Sequence, residues 1–204
     1  MADIYLVFSS TQYRIGKMIR RITGESYNHT SIALDANLTR MYSFARRHHS
    51  TPFYGGFVRE SLSRYCFNGV PADVCICKLP VTQTQYEWLE NTLQKMEENK
   101  EHYLYNHFSA AYALFHKNLP LEDAYTCVEF SVAILYQLGF PVDCTKYYSV
   151  GDLKSLFDSE TIYTGPIPAA AEKDLQYYKP IKHPIAVTVS SFRNLMCRPK
   201  IKHT

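Results

Sequence analysis

Apolar positions along the chain switch repeatedly between the two periods of regular structure. Ile4-Tyr5-Leu6-Val7-Phe8 is an apolar run of strand length. Ser9-Ser10-Thr11 then offers caps for a helix whose apolar residues Ile15, Met18, Ile19 and Ile22 recur at helical spacing before Gly24. From Tyr27 to Asp35 the period returns to two. His29, Ser31 and Ala33 share one face of a strand, Thr30, Ile32 and Leu34 share the other, and Asp35-Ala36-Asn37 turns the chain. A strand carrying Ser43 follows. The stretch from Arg46 to Gly56 reads as a loop, and its paired glycines predict flexibility.

Val74 to Leu79 predicts another strand, with Cys75 and Cys77 on one face. Thr82 and Gln85 have the spacing of a capping box, in which side chain and backbone satisfy each other across a helix start. That helix carries Trp88 and Leu89 and runs to about Asn99. A helix from about Phe108 to Phe115 precedes the loop Pro120-Leu121-Glu122-Asp123. A second Thr-x-x-Glu capping box, Thr126 to Glu129, opens the amphipathic run Phe130 to Leu138, which Gly139 and Pro141 close. Further on, Ile185 to Ser190 alternates like a strand.

The second capping box carries the chemistry. Cys127 falls on the first turn of its helix, where unpaired amides and the positive end of the helix dipole favour a thiolate and can receive a developing oxyanion. A cysteine at a helix start is also a common packing residue. The second candidate is His29, held by a strand yet close to its end, the place where loops and helix termini form clefts.

Asn28-His29-Thr30-Ser31-Ile32-Ala33-Leu34, Met41-Tyr42-Ser43-Phe44-Ala45, Tyr105-Asn106 and Tyr125-Thr126-Cys127-Val128-Glu129-Phe130, in that order, resemble the permuted branch of the papain-like cysteine hydrolases. The type is YiiX-like, with lecithin:retinol acyltransferase and its lipid-modifying relatives as distant cousins. The likeness spans roughly the first three quarters of the chain, and its specificity lies in the order of short motifs. It implies an α+β permuted papain-like fold, with an antiparallel sheet packed against the nucleophile helix. It also implies Cys127 as nucleophile and His29 as general base, with Ser43 on the following strand as the third, ring-orienting residue. The family places an acidic residue or a histidine there, so Ser43 is a departure; Asp35 and Glu129 are the acidic substitutes, Glu129 being better accounted for as a cap partner. Tyr105-Asn106 is assigned to packing.

Composition narrows the reading. With 204 residues, 46% of them hydrophobic and 20% charged, the chain can bury one core, and a single domain over residues 1–192 is expected. Most of its 17 tyrosines and 11 phenylalanines are expected to serve that core. Six cysteines without a Cys-x-x-Cys pair argue for reduced thiols rather than disulfides or zinc, and His102, His107 and His116 lack the spacing of a metal helix, so neither metal nor cofactor is expected. The N-terminus enters a strand without a basic segment, and no apolar stretch approaches the roughly 20 residues of a membrane span, which points to a cytoplasmic protein. From Lys173 onward there are seven cations against one acid, while the remainder holds fifteen against eighteen. Residues 193–204 are accordingly expected to form a disordered basic tail, with a weak contact to an anionic surface as its candidate role and no nucleic-acid signature.

The expected function is a cysteine hydrolase that cleaves a peptide, isopeptide, amide or ester bond through an acyl-thioester. The alternatives are a catalytically silent binding module on the same scaffold, with Ser43 as the mark of a degraded triad, and a lipid acyltransferase or thioesterase. Substrate identity and oligomeric state are not encoded in these patterns.

Overall fold

A computed structural model describes residues 1–167 and 173–201. The first strand, β1 (Ala2–Ser9), leads into α1 (Arg14–Thr23), which Gly24 ends at φ +72°. Strands β2 (His29–Ala33), β3 (Met41–Arg46) and β4 (Gly55–Glu60) follow, then a minor hairpin of β5 (Cys66–Phe67) and β6 (Val70–Pro71), and the long β7 (Asp73–Val81). Helix α2 (Gln83–Glu98) crosses to β8 (Leu104–Tyr105), α3 (His107–Tyr112), β9 (Ala124–Tyr125) and α4 (Cys127–Gln137). The chain finishes with α5 (Val150–Leu156), β10 (Thr161–Pro166), α6 (Leu175–Tyr178) and α7 (Pro184–Met196).

Eight strands form one sheet in the order β10-β7-β1-β2-β3-β4-β8-β9, antiparallel except for the β8–β9 pair, so the protein is α+β with a large mixed sheet. Alternation puts Ile4, Leu6, Phe8, Ile32, Phe44 and Phe57 on one face, where they pack on Leu89 and Leu93 of α2 and on Phe130 and Leu135 of α4. Tyr5, Val7, Ala33, Met41 and Val74 pack on the other face under Tyr65, Ala72 and Ile167. Cys75 and Cys77 share the helix-facing side, both buried, and Thr161 Oγ1 of β10 lies 3.5 and 3.6 Å from their sulfurs.

One irregularity in the sheet bears on the site. β3 pairs with β4 from Met41 to Arg46, whereas β2 and β3 pair only at Ile32 with Tyr42 and Ala33 with Met41. The sheet therefore parts at the His29 end of β2.

Both predicted capping boxes form, at Thr82 with Gln85 and at Thr126 with Glu129. α4 closes as expected through Gly139 at φ +81°, with Phe140 N–H donating to Leu135 O and Gly139 N–H to Tyr136 O, a Schellman arrangement. Two expectations need correction. Gly55 and Gly56 are not a flexible loop but the first residues of β4, and small because of close approach. A Cβ on Gly56 would lie 2.2 Å from Tyr103 O and 2.7 Å from Arg47 Nη2, and one on Gly55 2.8 Å from Tyr105 Cβ. Arg47, buried beside them, donates to Tyr103 O and pairs with Glu101.

The second correction concerns the C-terminus. Ile185 to Ser190 lies in α7 and not in a strand. Pro184 at the first helical position starts the helix, and Val187, Ser191 and Leu195 turn toward the body at helical spacing. The disordered tail predicted for 193–204 is instead docked as far as 201: Leu195 is buried with Leu104, Leu121 and Ala124, Glu122 N–H donates to Pro199 O, and Ile201 N–H donates to Pro120 O. Residues 202–204 of that segment, and 168–172 of the expected domain, lie outside the described residues.

If close approach dictates the glycine in β4, Gly56→Ala should cost about 2 kcal/mol or more through overpacking. Gly69→Ala, in open space at φ +78°, should cost only about 1 kcal/mol from backbone strain. Urea unfolding midpoints of the two variants check the order, and equal losses would refute the packing explanation.

Candidate active site

α4 begins where the edge strand β9 ends, and the capping box fixes the junction. Thr126 N–H donates to Glu129 Oε2 (2.7 Å), and Glu129 N–H donates to Thr126 Oγ1 (3.2 Å). The first intrahelical bond runs from Phe130 N–H to Thr126 O (3.1 Å), so the amides of Cys127 and Val128 precede the helical ladder. Glu129 is thus a cap partner, and burial raises its carboxyl above the ordinary range against the opposing bonds from Ser109 and Thr126.

His29 is placed from the other direction. Asn28 N–H donates to Ser9 O, while its side chain donates to Thr11 Oγ1 (2.7 Å) and accepts from Arg20 of α1 (2.8 Å). A Cβ on Gly16 would lie 2.4 Å from that Thr11 oxygen and 2.7 Å from Asn28 Nδ2, which explains glycine inside α1. The residue before the histidine is therefore tied to strand, loop and helix at once.

The imidazole projects where β2 has left β3. Its Nε2 lies 2.8 Å from Glu60 Oε1, at the end of β4, and 3.3 Å from Ser31 Oγ, while Cys127 lines the same cleft and acts on the ring by its charge. With Nε2 committed to the carboxylate, Nδ1 is the ring nitrogen left for proton transfer. Glu60 lies on the opposite parity of β4 from Phe57, which faces the helices, while Cys127 belongs to the helix-side core. The gap between β2 and β3 thus sets one ring between a carboxylate on one side of the sheet and the cleft that the thiol lines on the other.

Glu60 is the residue that sequence reasoning missed, and it corrects the role assigned to Ser43. Ser43 Oγ donates to Glu60 Oε1, not to the ring. Ser31 Oγ donates to the second carboxylate oxygen (3.1 Å) and, its single proton spent there, accepts from Tyr65 O–H (3.0 Å). Asp35 is engaged elsewhere, accepting from Thr39 N–H and Arg40 N–H in the turn after β2. Glu60 was legible only through register. It lies opposite Met41 on a strand whose first two residues read as loop, so its parity with Ser43, which pairs Val58, requires the β3–β4 pairing.

The electrostatics follow from burial and pairing. The side chains of His29 and Glu60 are 12% and 3% exposed. Burial by itself would lower the imidazolium, but the charges and hydrogen bonds of Glu60 and Cys127 outweigh it and carry His29 up to about 10. Burial would raise Glu60, yet His29, Ser43 and nearby Arg64 bring it below the usual carboxylate range. Tyr105 is pushed up by burial and by the Cys127 and Glu129 charges. Asn106 is fully buried and caps α3, holding Ser109 N–H and donating to Leu119 O, consistent with the packing role expected of it.

Cys127 is 6% exposed and, with His29, Glu60 and Tyr105, lines a cleft of about 1300 Å³ whose walls are mostly apolar. Phe44, Phe53 and Phe192 are among its aromatic lining. Such a site supports proton exchange between sulfur and imidazole, with a fixed negative charge behind the ring. No protein-family model, no curated protein and no solved structure matches the chain.

The two shifts set a pH signature. Glu60, lowered from its ordinary 4.5, contributes stability above that value that is lost as pH falls. His29, raised from 6.5 to about 10, contributes fully below 6.5 and loses its contribution as pH rises toward 10. The pair should therefore stabilise most between 4.5 and 6.5. Glu60→Gln should cost about 3 kcal/mol in that window, because it strands a buried cation, and progressively less toward alkaline pH. Denaturant unfolding across pH tests this; a pH-independent loss would contradict it.

Proposed function

We propose that the chain is a cysteine hydrolase acting on an amide or ester bond through a Cys127 acyl-thioester, with His29 as acid and base and Glu60 as the group that orients and charges the ring. The observation that carries the reading is a single imidazole with a buried carboxylate on Nε2 and the helix-start thiol lining the same cleft, its charge acting on the ring. That is the order of roles in a Cys-His-acid constellation, which is recognised by geometry and not by chain order. The permuted papain-like scaffold, YiiX-like in its motifs, belongs to the same proposal, as does a reducing, cytoplasmic setting for a free thiol.

The reaction runs in two halves. The Cys127 thiolate attacks the carbonyl carbon, forming the S–C bond, and the oxyanion is received by the Cys127 and Val128 amides at the start of α4. Nδ1–H of His29 then protonates the departing nitrogen or oxygen as its bond to carbon breaks. In the second half His29 takes a proton from water, the hydroxide adds to the thioester, and the thiolate leaves. Glu60 stays ionised throughout, holding the ring by Nε2–H. A hydroxyl alone stabilises imidazolium less, since it brings no net charge. Ser43 in this reading is a positioning residue for the carboxylate. The silent-module alternative drew on a missing acid, and Glu60 removes that ground.

Two measurements test the proposal. Iodoacetamide should alkylate Cys127 faster than the chain's other thiols, with the excess rate abolished by His29→Ala and markedly reduced by Glu60→Gln. Ordinary thiol behaviour insensitive to both would refute the activated pair. With a panel of activated esters and amides, intact mass should show a single acyl adduct that Cys127→Ser abolishes. Glu60→Gln should slow turnover by about 100-fold, and Ser43→Ala by considerably less.

A further inference from the structure

Helix α7 presents two faces of opposite character. Val187, Thr188, Ser191, Phe192 and Leu195 turn toward the body at helical spacing. Ile185, Val189 and Met196, at i, i+4 and i+11, stand 79%, 60% and 66% exposed along the opposite side. At 100° per residue these three fall within about 40° of one another, and Arg193 projects within a further 40° or so, while exposed Lys182 stands just before the helix start. Lys182, Ile185, Val189 and Arg193 also line one shallow surface groove. The outer face is thus an apolar stripe flanked by cations, and from Leu175 to the C-terminus the chain holds no acidic residue, although it carries 19 acids in all.

We propose that this outer face of α7 docks on an anionic lipid bilayer, inserting Ile185, Val189 and Met196 into the headgroup boundary while Lys182 and Arg193 lie among the lipid phosphates. The charge argues for this occupant. A second copy of the chain meeting the first through the same face would bring the cations together with no acid to offset them. A lipid surface offers both an apolar layer and negative charge, and the aliphatic stems of Lys and Arg extend toward the headgroups from an apolar seat. The contact is in-plane, since no helix among the described residues is long and apolar enough to cross a membrane. It also adjoins the cleft. Phe192, on the border of the stripe, lines the cleft wall and stacks on His107 at 4.8 Å, beside the half-exposed Phe53. The proposal stands independently of the Cys127 chemistry.

The test is flotation of the full chain with vesicles of phosphatidylcholine alone and of phosphatidylcholine with about one third phosphatidylglycerol. Binding should be confined to the anionic vesicles and weaken as salt rises. Lys182→Ala with Arg193→Ala should weaken it by at least tenfold, about fivefold per cation, and Ile185→Ser with Val189→Ser and Met196→Ser should abolish it. All five side chains are exposed, so circular dichroism should show unchanged folding. In a Val189→Trp variant the added indole should shift to the blue on anionic vesicles, with the native chain, which has Trp88 alone, as reference. No flotation at low salt, or flotation indifferent to both sets of substitutions, overturns the proposal. So does a dimer in sedimentation that the triple serine variant dissolves, which would assign the face to a second copy, or capture of an acidic polypeptide in place of vesicles.

Discussion

A carboxylate inside a sheet must be compensated or it gives up its charge, and Glu60 is compensated on every side. His29 supplies a charge, Ser43 and Ser31 each donate a proton, Tyr65 supports Ser31, and Arg64 adds a more distant positive field. The rest of the site is arranged around that solution. The ring is held by Nε2 because the carboxylate is fixed, Nδ1 is the nitrogen left over because Nε2 is occupied, and the strands part beside the ring on the side of the cleft that the thiol also lines. Three polar residues buried on the face of a hydrophobic sheet, Ser31, Ser43 and Glu60, would be costly apart from one another. Together they form one satisfied network.

Local patterns in the chain forecast local structure well. Capping boxes at Thr82 and Thr126, the apolar run of β1, the alternation of β2 and β7, and the glycine stop after α4 all depend on residues close together in the chain, and each is found. His29 and Cys127 could be singled out because strand end and helix start are themselves local features. Glu60 could not, because its role depends on which residue of β3 it faces, and that register is set by tertiary pairing. The glycine pair before it suggested looseness where the backbone is in fact crowded by Tyr103, Tyr105 and Arg47.

The misreading of α7 has the same origin. Ile185, Val187 and Val189 are β-branched and alternate with small residues, which favours a strand on propensity. The helix wins because Pro184 sets its start and because Leu195 finds a place against Leu104, Leu121 and Ala124, a gain visible only once β8 and β9 are assembled. The exposed half of the helix is what remains after that packing is satisfied, and it is unusually apolar for a leftover surface.

The short pairing of β2 with β3 also has a mechanical meaning. The sheet consists of two four-stranded halves, β10-β7-β1-β2 and β3-β4-β8-β9, stitched by two residue pairs and spanned by α4. The bond from His29 to Glu60 crosses that seam, so it acts as a clasp between the halves as well as a link within the site. Whatever discharges the ring slackens the clasp, and the protein's breathing is thereby coupled to its proton inventory.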